Sequence, residues 1–211
     1  MRERGSMSYD LTSLRNQVAR LYLEALSLLR DLAMLLEPGD EVRREIGRIF
    51  QEKGELLMVT RDQLINSILV YIARVQPLGP SLVEASNLLY LTYDVYRFAR
   101  YAREIYIADV KGVSLSTPRL KSIVEPALRI AVEAAENAYR VYFEDCTTCI
   151  DSLRRLGEES DKLYLNQLEK ISSTPLVENT DAVALLVLRH VERIVDHAEG
   201  IALMKTRIAR R

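Results

Sequence analysis

The spacing of apolar residues near the start of the chain limits its fold more than any other feature. Leu11, Leu14, Val18, Leu21, Ala25, Leu28, Leu32 and Leu35 alternate steps of three and four, which is the seam of a helix packed against other helices. The seam stops at Glu37-Pro38-Gly39-Asp40, since proline lacks the donor that the next helical turn requires. Asp40 is placed to cap the following helix by accepting from its free N–H groups. That helix runs to about Val75, where Gln76-Pro77-Leu78-Gly79-Pro80 ends it.

The same pattern recurs. Leu88, Leu91, Val95, Phe98, Ala102 and Ile105 form a third seam, closed by Lys111-Gly112-Val113. A fourth helix opens near Thr117-Pro118, where proline suits a first turn, and carries Leu120, Ile123, Ala127, Ile130, Ala134 and Ala138. Its small residues predict close helix approach. A fifth covers Ile150 to Ile171 and breaks at Ser172-Ser173-Thr174-Pro175, and Asn179-Thr180-Asp181 can cap a sixth that runs almost to the C-terminus. The fold class is all-α, six helices with no convincing strand.

The halves repeat. An offset of 96 lays Leu89 on Leu185, Val95 on Val191, Arg97 on Arg193, Ala102 on Ala198 and Ile105 on Ile201. Asp62-x-Leu64 similarly matches Asp161-x-Leu163, and Pro77 falls near Pro175. The expected organisation is two tandem antiparallel three-helix bundles, 8–112 and 116–211, after a disordered N-terminus at 1–7. No flexible linker separates them, so the halves should pack together.

Composition narrows the function classes. Twenty-nine basic against thirty acidic residues leave a net charge of −1, which supplies no global field for gathering nucleic acid or anionic lipid. The longest uncharged stretch, Gln63 to Ala73, falls short of the ~18 apolar residues of a membrane span. No secretory signal opens the chain, and two cysteines suit a reducing compartment, so a cytoplasmic protein, peripheral to a membrane at most, is expected.

The most informative segment is Leu188-Arg189-His190-Val191-Glu192-Arg193-Ile194-Val195-Asp196-His197-Ala198-Glu199-Gly200-Ile201. Helical spacing puts Arg189, Glu192, Arg193, Asp196 and Gly200 on one polar face, opposite Val191, Ile194, Ala198 and Ile201. Glu192 and Asp196 are like charges four apart, and two carboxylates one turn apart can offer oxygen ligands to one metal ion. The competing reading pairs Arg189 with Glu192 and Arg193 with Asp196 in a solvated i,i+3 ladder, which spacing alone favours.

This run resembles the signature of the PhoU family of phosphate-uptake regulators, L-x-R-x-L-E-R-I-x-D-H-A-x-N-I, and Asp161-Lys162-Leu163-Tyr164 resembles the family's D-x-L-Y segment. The doubled three-helix layout is also similar over essentially the whole chain. The resemblance implies a non-enzymatic cytoplasmic protein that restrains phosphate uptake and starvation signalling through transporter components and a sensor kinase. It also implies iron or zinc on acidic E/D-x-x-x-D motifs, matched here by Glu192 and Asp196.

The sequence departs from that pattern elsewhere. Tyr96 and Arg100 occupy the first-repeat equivalents of Glu192 and Asp196, Met58 and Gly157 stand four before Asp62 and Asp161, and Gly200 replaces the usual Asn. One metal site, using Glu192, Asp196 and Asp161, is the most the residues allow.

Other candidates are weaker. Cys146 and Cys149 have C-x-x-C spacing without the second pair a zinc site needs, and are read as an ordinary half-buried pair. His190 and His197 share a helix face, but Val187 and Ile194 stand where a di-iron bundle enzyme would carry Glu, so lone surface histidines are the default. Tyr93, Tyr96, Arg97, Arg100, Tyr101 and Arg103 form a basic aromatic face that could stack bases, although no nucleic-acid motif accompanies it. The working reading is therefore a docking adaptor, expected as a homodimer. The alternatives are a metal-dependent helical bundle and a helical nucleic-acid module.

Overall fold

The structure, a computed structural model, describes residues 10–209. The segment 1–7 read as disordered lies outside the described residues, as do positions 8, 9, 210 and 211 of the two expected repeats.

Among the described residues six α-helices follow one another: α1 Leu11–Asp31, α2 Asp40–Val75, α3 Pro80–Lys111, α4 Pro118–Glu144, α5 Cys149–Ser172 and α6 Asn179–Ala209. The Asp10 carboxylate accepts from Thr12 N–H at 3.3 Å and so caps α1. The last turn of the first seam tightens into a 3-10 turn at Leu32–Leu36 before Pro38. Asp40 does not cap α2 as expected: it is the helix's first residue, and Gly39, at φ 131°, takes the flanking position. Its carboxylate still lies in the first turn, where the helix dipole favours it. Gln76, in the left-handed region, closes α2 by donating to the Ile72 carbonyl at 3.0 Å.

Helices α1, α2 and α3 pack on one another, as do α4, α5 and α6, while α3 lies against α6 and α1 against α4. A single apolar core results. Ala127, Ala131, Ala134 and Ala138 are buried on α4 and let neighbouring helices approach closely. Tyr22 of α1 is fully buried, donates to the Ala135 carbonyl of α4 at 2.7 Å, and meets Phe98 of α3 edge-on at 5.7 Å. One side chain thus ties both halves together. Each fully buried Leu or Phe of this core stabilises by about 1.5–3 kcal/mol relative to exposure.

The 96-residue offset has a structural meaning. Val95 and Val191, Ala102 and Ala198, and Ile105 and Ile201 are all buried at equivalent places on α3 and α6. The connection between the halves is held closely. Buried Asp109 accepts from Arg43 at 2.9 Å and from Leu115 N–H at 2.7 Å, and Arg43 also donates to Ser114 and Ser116.

Two expectations need correction. An 18-residue window of α2 reaches a mean hydropathy of 1.3 with 22% of it buried, so by length and composition this helix is apolar enough to cross a bilayer. The few charges of that window break every uncharged run without dominating the mean. In the bundle its buried residues Leu57, Leu64, Ile68 and Tyr71 recur at helical spacing, as an amphipathic helix requires.

The second concerns the cysteines. Cys146 and Cys149 are joined by a disulfide instead of standing as an unbonded pair. Asp145 ends α4 in the left-handed conformation, the chain turns, and the two Cα atoms come within 5.5 Å, inside bridging range.

Candidate functional site

On α6, Leu188, Val191, Ile194, Val195, Ala198 and Ile201 are buried, as the periodicity predicts. The opposite face is less solvated than expected, for Glu192 is buried, with its side chain only 9% exposed. Its carboxylate accepts from Arg189 at 2.8 Å and from two nitrogens of Arg193, at 2.9 and 3.0 Å. Arg189 in turn lies 5.0 Å over the Tyr164 ring of α5, so the helix packed beside α6 supplies part of the cover. Arg193 also reaches Asp196 at 3.2 Å, and Asp196 remains exposed. The i,i+3 ladder is therefore present. Desolvation, then Asp196, raise the Glu192 pKa, and the two guanidiniums offset this only in part.

Asp161, on the exposed side of α5, does not join Glu192. It belongs with Glu199, whose pKa is raised first by desolvation and then by Asp196, Asp161 and Glu158, with Arg154 opposing. The Glu199 carboxylate lies over Gly157 in the space a side chain there would fill. Glu199 thus stands where α5 lacks an acidic side chain, a residue the sequence reading overlooked. The absence of a side chain at Gly157 was the available signal.

The donor set does not fit a metal. Glu192, the better-held carboxylate, is closed by two cations at hydrogen-bond distance. Among the described residues, no three His, Cys, Asp or Glu side chains form a group able to hold an ion. Oxygen-ligated cations need several convergent oxygens, and in this structure Glu192, Asp196 and Asp161 do not bring them to one point.

The aromatic basic face of α3 satisfies itself in part. Arg61 of α2 lies 4.1 Å over the Tyr96 ring, and Arg97 donates to the Tyr101 hydroxyl at 2.5 Å while lying over the Tyr93 and Tyr101 rings. Tyr90 and Tyr93 remain exposed. Between α1 and α2 a groove of about 590 Å³ runs over Leu21, Leu57 and Leu64, rimmed by Arg20, Glu24 and Lys53.

The histidines are not lone surface residues. His197 Nδ1 lies 2.9 Å from Asp94 Oδ1, joining α6 to α3, and both side chains are largely shielded. The Tyr101 ring of α3 sits 5.7 Å from His190 and 5.8 Å from His197, lodged between them. Burial is the main cause of the lowered His190 pKa, with Glu104 opposing and Arg189 reinforcing it. Asp94, Tyr101, His190 and His197 thus join α3 to α6 between the repeats.

Comparisons with known proteins bear on this architecture. No family model matches the sequence. The chain is 28% identical over 166 residues, 78% of its length and 75% of the relative's, to a phosphate-specific transport system accessory protein PhoU homolog of Archaeoglobus fulgidus. Its fold is similar to the crystal structure of PhoU from Pseudomonas aeruginosa, with a TM-score of 0.81 at 16% identity, covering 95% of this chain and 97% of that one. It is also similar to the phosphate transport system regulatory protein PhoU from Streptococcus pneumoniae, with a TM-score of 0.78 at 13% identity over 94% of each chain.

Proposed function

We propose that this chain, a divergent member of the PhoU family, regulates phosphate transport by docking on partner proteins without catalysing a reaction. The observation that carries the reading is joint. A PhoU homolog matches across three quarters of both chains, and the shared fold extends over 95% of this one.

Docking fits the way the residues are used. Arg189, Glu192, Arg193 and Asp196 of the signature run pair with one another and His197 pairs across the contact between repeats, which leaves the outer faces of the double bundle to recognise a partner. The proposed partners are components of a phosphate transporter, a sensor kinase, or both, met in the cytoplasm by a homodimer. Binding one conformation of a partner shifts that partner's equilibrium by the difference in affinity between its two states, and by no more.

The test is to isolate the phosphate transporter from cells grown with ample or scarce phosphate and probe for this chain. Retention that changes with phosphate supply is the expected result. Absence of the chain from transporter and sensor-kinase complexes under both conditions would overturn the docking mechanism.

A further inference from the structure

We propose that Cys146 and Cys149 are a reversible dithiol–disulfide site that exchanges with small-molecule thiols, and not a structural staple. The bond spans three positions of sequence. A loop so short constrains the unfolded chain far less than a bridge across tens of residues. The corner is also held by other means. Cys146 N–H donates to the Arg140 carbonyl at 3.1 Å, Ile150 N–H donates to the Thr147 carbonyl at 3.2 Å, and Lys205 of α6 reaches Asp145 at 2.8 Å. Buried Val141, Tyr142, Leu153 and Leu156 anchor the helices on either side.

The two sulfurs have different surroundings. Cys146 is half-buried in the turn, so an incoming thiolate can reach it, whereas Cys149 is buried at the first position of α5. Thr148, flanking that helix, makes no side-chain cap bond. Cys149 opens a 24-residue helix, whose dipole favours its thiolate, with Asp151 in the same turn opposing. This is the asymmetry of an exchanging pair, one sulfur open to attack and the other a good leaving group.

In the reducing direction, a thiolate RS⁻ attacks Cys146 Sγ. The Cys146–Cys149 bond breaks and its electron pair leaves on Cys149 Sγ, giving a mixed disulfide. A second RS⁻ attacks the outer sulfur, releasing RSSR and the Cys146 thiolate, and both thiolates are free to take up protons. Two electrons pass from two thiols to the protein, and the reverse sequence, driven by RSSR, restores the bond. In a reducing compartment, protein disulfides are characteristically of this transient kind.

The test equilibrates the full chain with glutathione at graded ratios of reduced to oxidised form, quenches with acid, alkylates the free thiols and weighs the products, with circular dichroism on each sample. The expected result is a smooth conversion from no alkylation to two alkylations at unchanged helicity. In Cys149→Ser, the remaining Cys146 gains one glutathione. In Cys146→Ser, Cys149 stays unmodified until the protein is unfolded. A pair that remains dithiol at every ratio, a bond reduced only with loss of helicity, or equal glutathione uptake by the two variants would overturn the proposal.

Discussion

His197 Nδ1 stands 2.9 Å from Asp94 Oδ1 across the contact between α3 and α6, and the 96-residue repeat carries this pair onto His190 and Tyr101, which also face each other. Adding 96 to 94 gives 190, and subtracting 96 from 197 gives 101. The two repeats therefore meet around an internal pseudo-twofold, with α3 and α6 antiparallel. One of the two equivalent contacts is a hydrogen bond between an imidazole and a carboxylate, and the other is between two rings.

Asp94→Ala leaves a shielded imidazole without its partner. A hydrogen bond to a charged group typically contributes about 1.5–3 kcal/mol, so urea unfolding of this variant should show a loss of that order. Asp94→Ala and His197→Ala combined should cost less than the sum of the two single changes, a coupling read from the double-mutant cycle.

His190 gives the molecule an acid-sensitive contact. Its folded pKa lies below the ordinary 6.5, so the unfolded chain binds more protons between the two values and stability rises with pH across that interval. The contribution is present above 6.5 and is lost as pH falls through the folded value. Unfolding midpoints measured about one unit above and below 6.5 should differ less in His190→Gln than in the parent chain.

Glu192 has the opposite sign. Its folded pKa is raised, so what it adds to stability is complete below the unfolded value of 4.5 and is lost as pH rises through the folded one. At neutral pH the buried charge is a cost. Glu192→Gln should keep the fold and unfold at an equal or higher temperature near neutrality, and the advantage should disappear in acid. A marked loss of stability at neutral pH would mean that the two arginines require the charge.

Tyr22 tests how firmly the halves are joined. Tyr22→Phe removes the bond to the Ala135 carbonyl and should cost about 0.5–1.5 kcal/mol, the usual net value of such a bond. Tyr22→Ala also empties a fully buried site among Phe98, Tyr139 and Phe143 and should cost about 3–5 kcal/mol in thermal or urea unfolding.

The seams and breaks of the helices were legible because they are local. Apolar steps of three and four, with proline at positions 38, 118 and 175, mark the helices and three of the breaks between them. What lay opposite each polar face was not legible. Periodicity shows that Glu192 and His197 sit off the apolar stripe, but whether water, Tyr164 or Asp94 meets that face depends on how distant helices pack. Glu199 escaped notice for the same reason, since only the packing of α6 on α5 brings it over Gly157. The disulfide turned on the conformation of Asp145, which no spacing rule specifies.

The most direct test of the regulatory account is labelled-phosphate uptake by cells lacking this chain, compared with cells in which it is restored, under ample and scarce phosphate. Uptake that stays high under ample phosphate without the chain, and is again restrained on restoring it, is the predicted result. Uptake that responds to phosphate supply identically with and without the chain would contradict it.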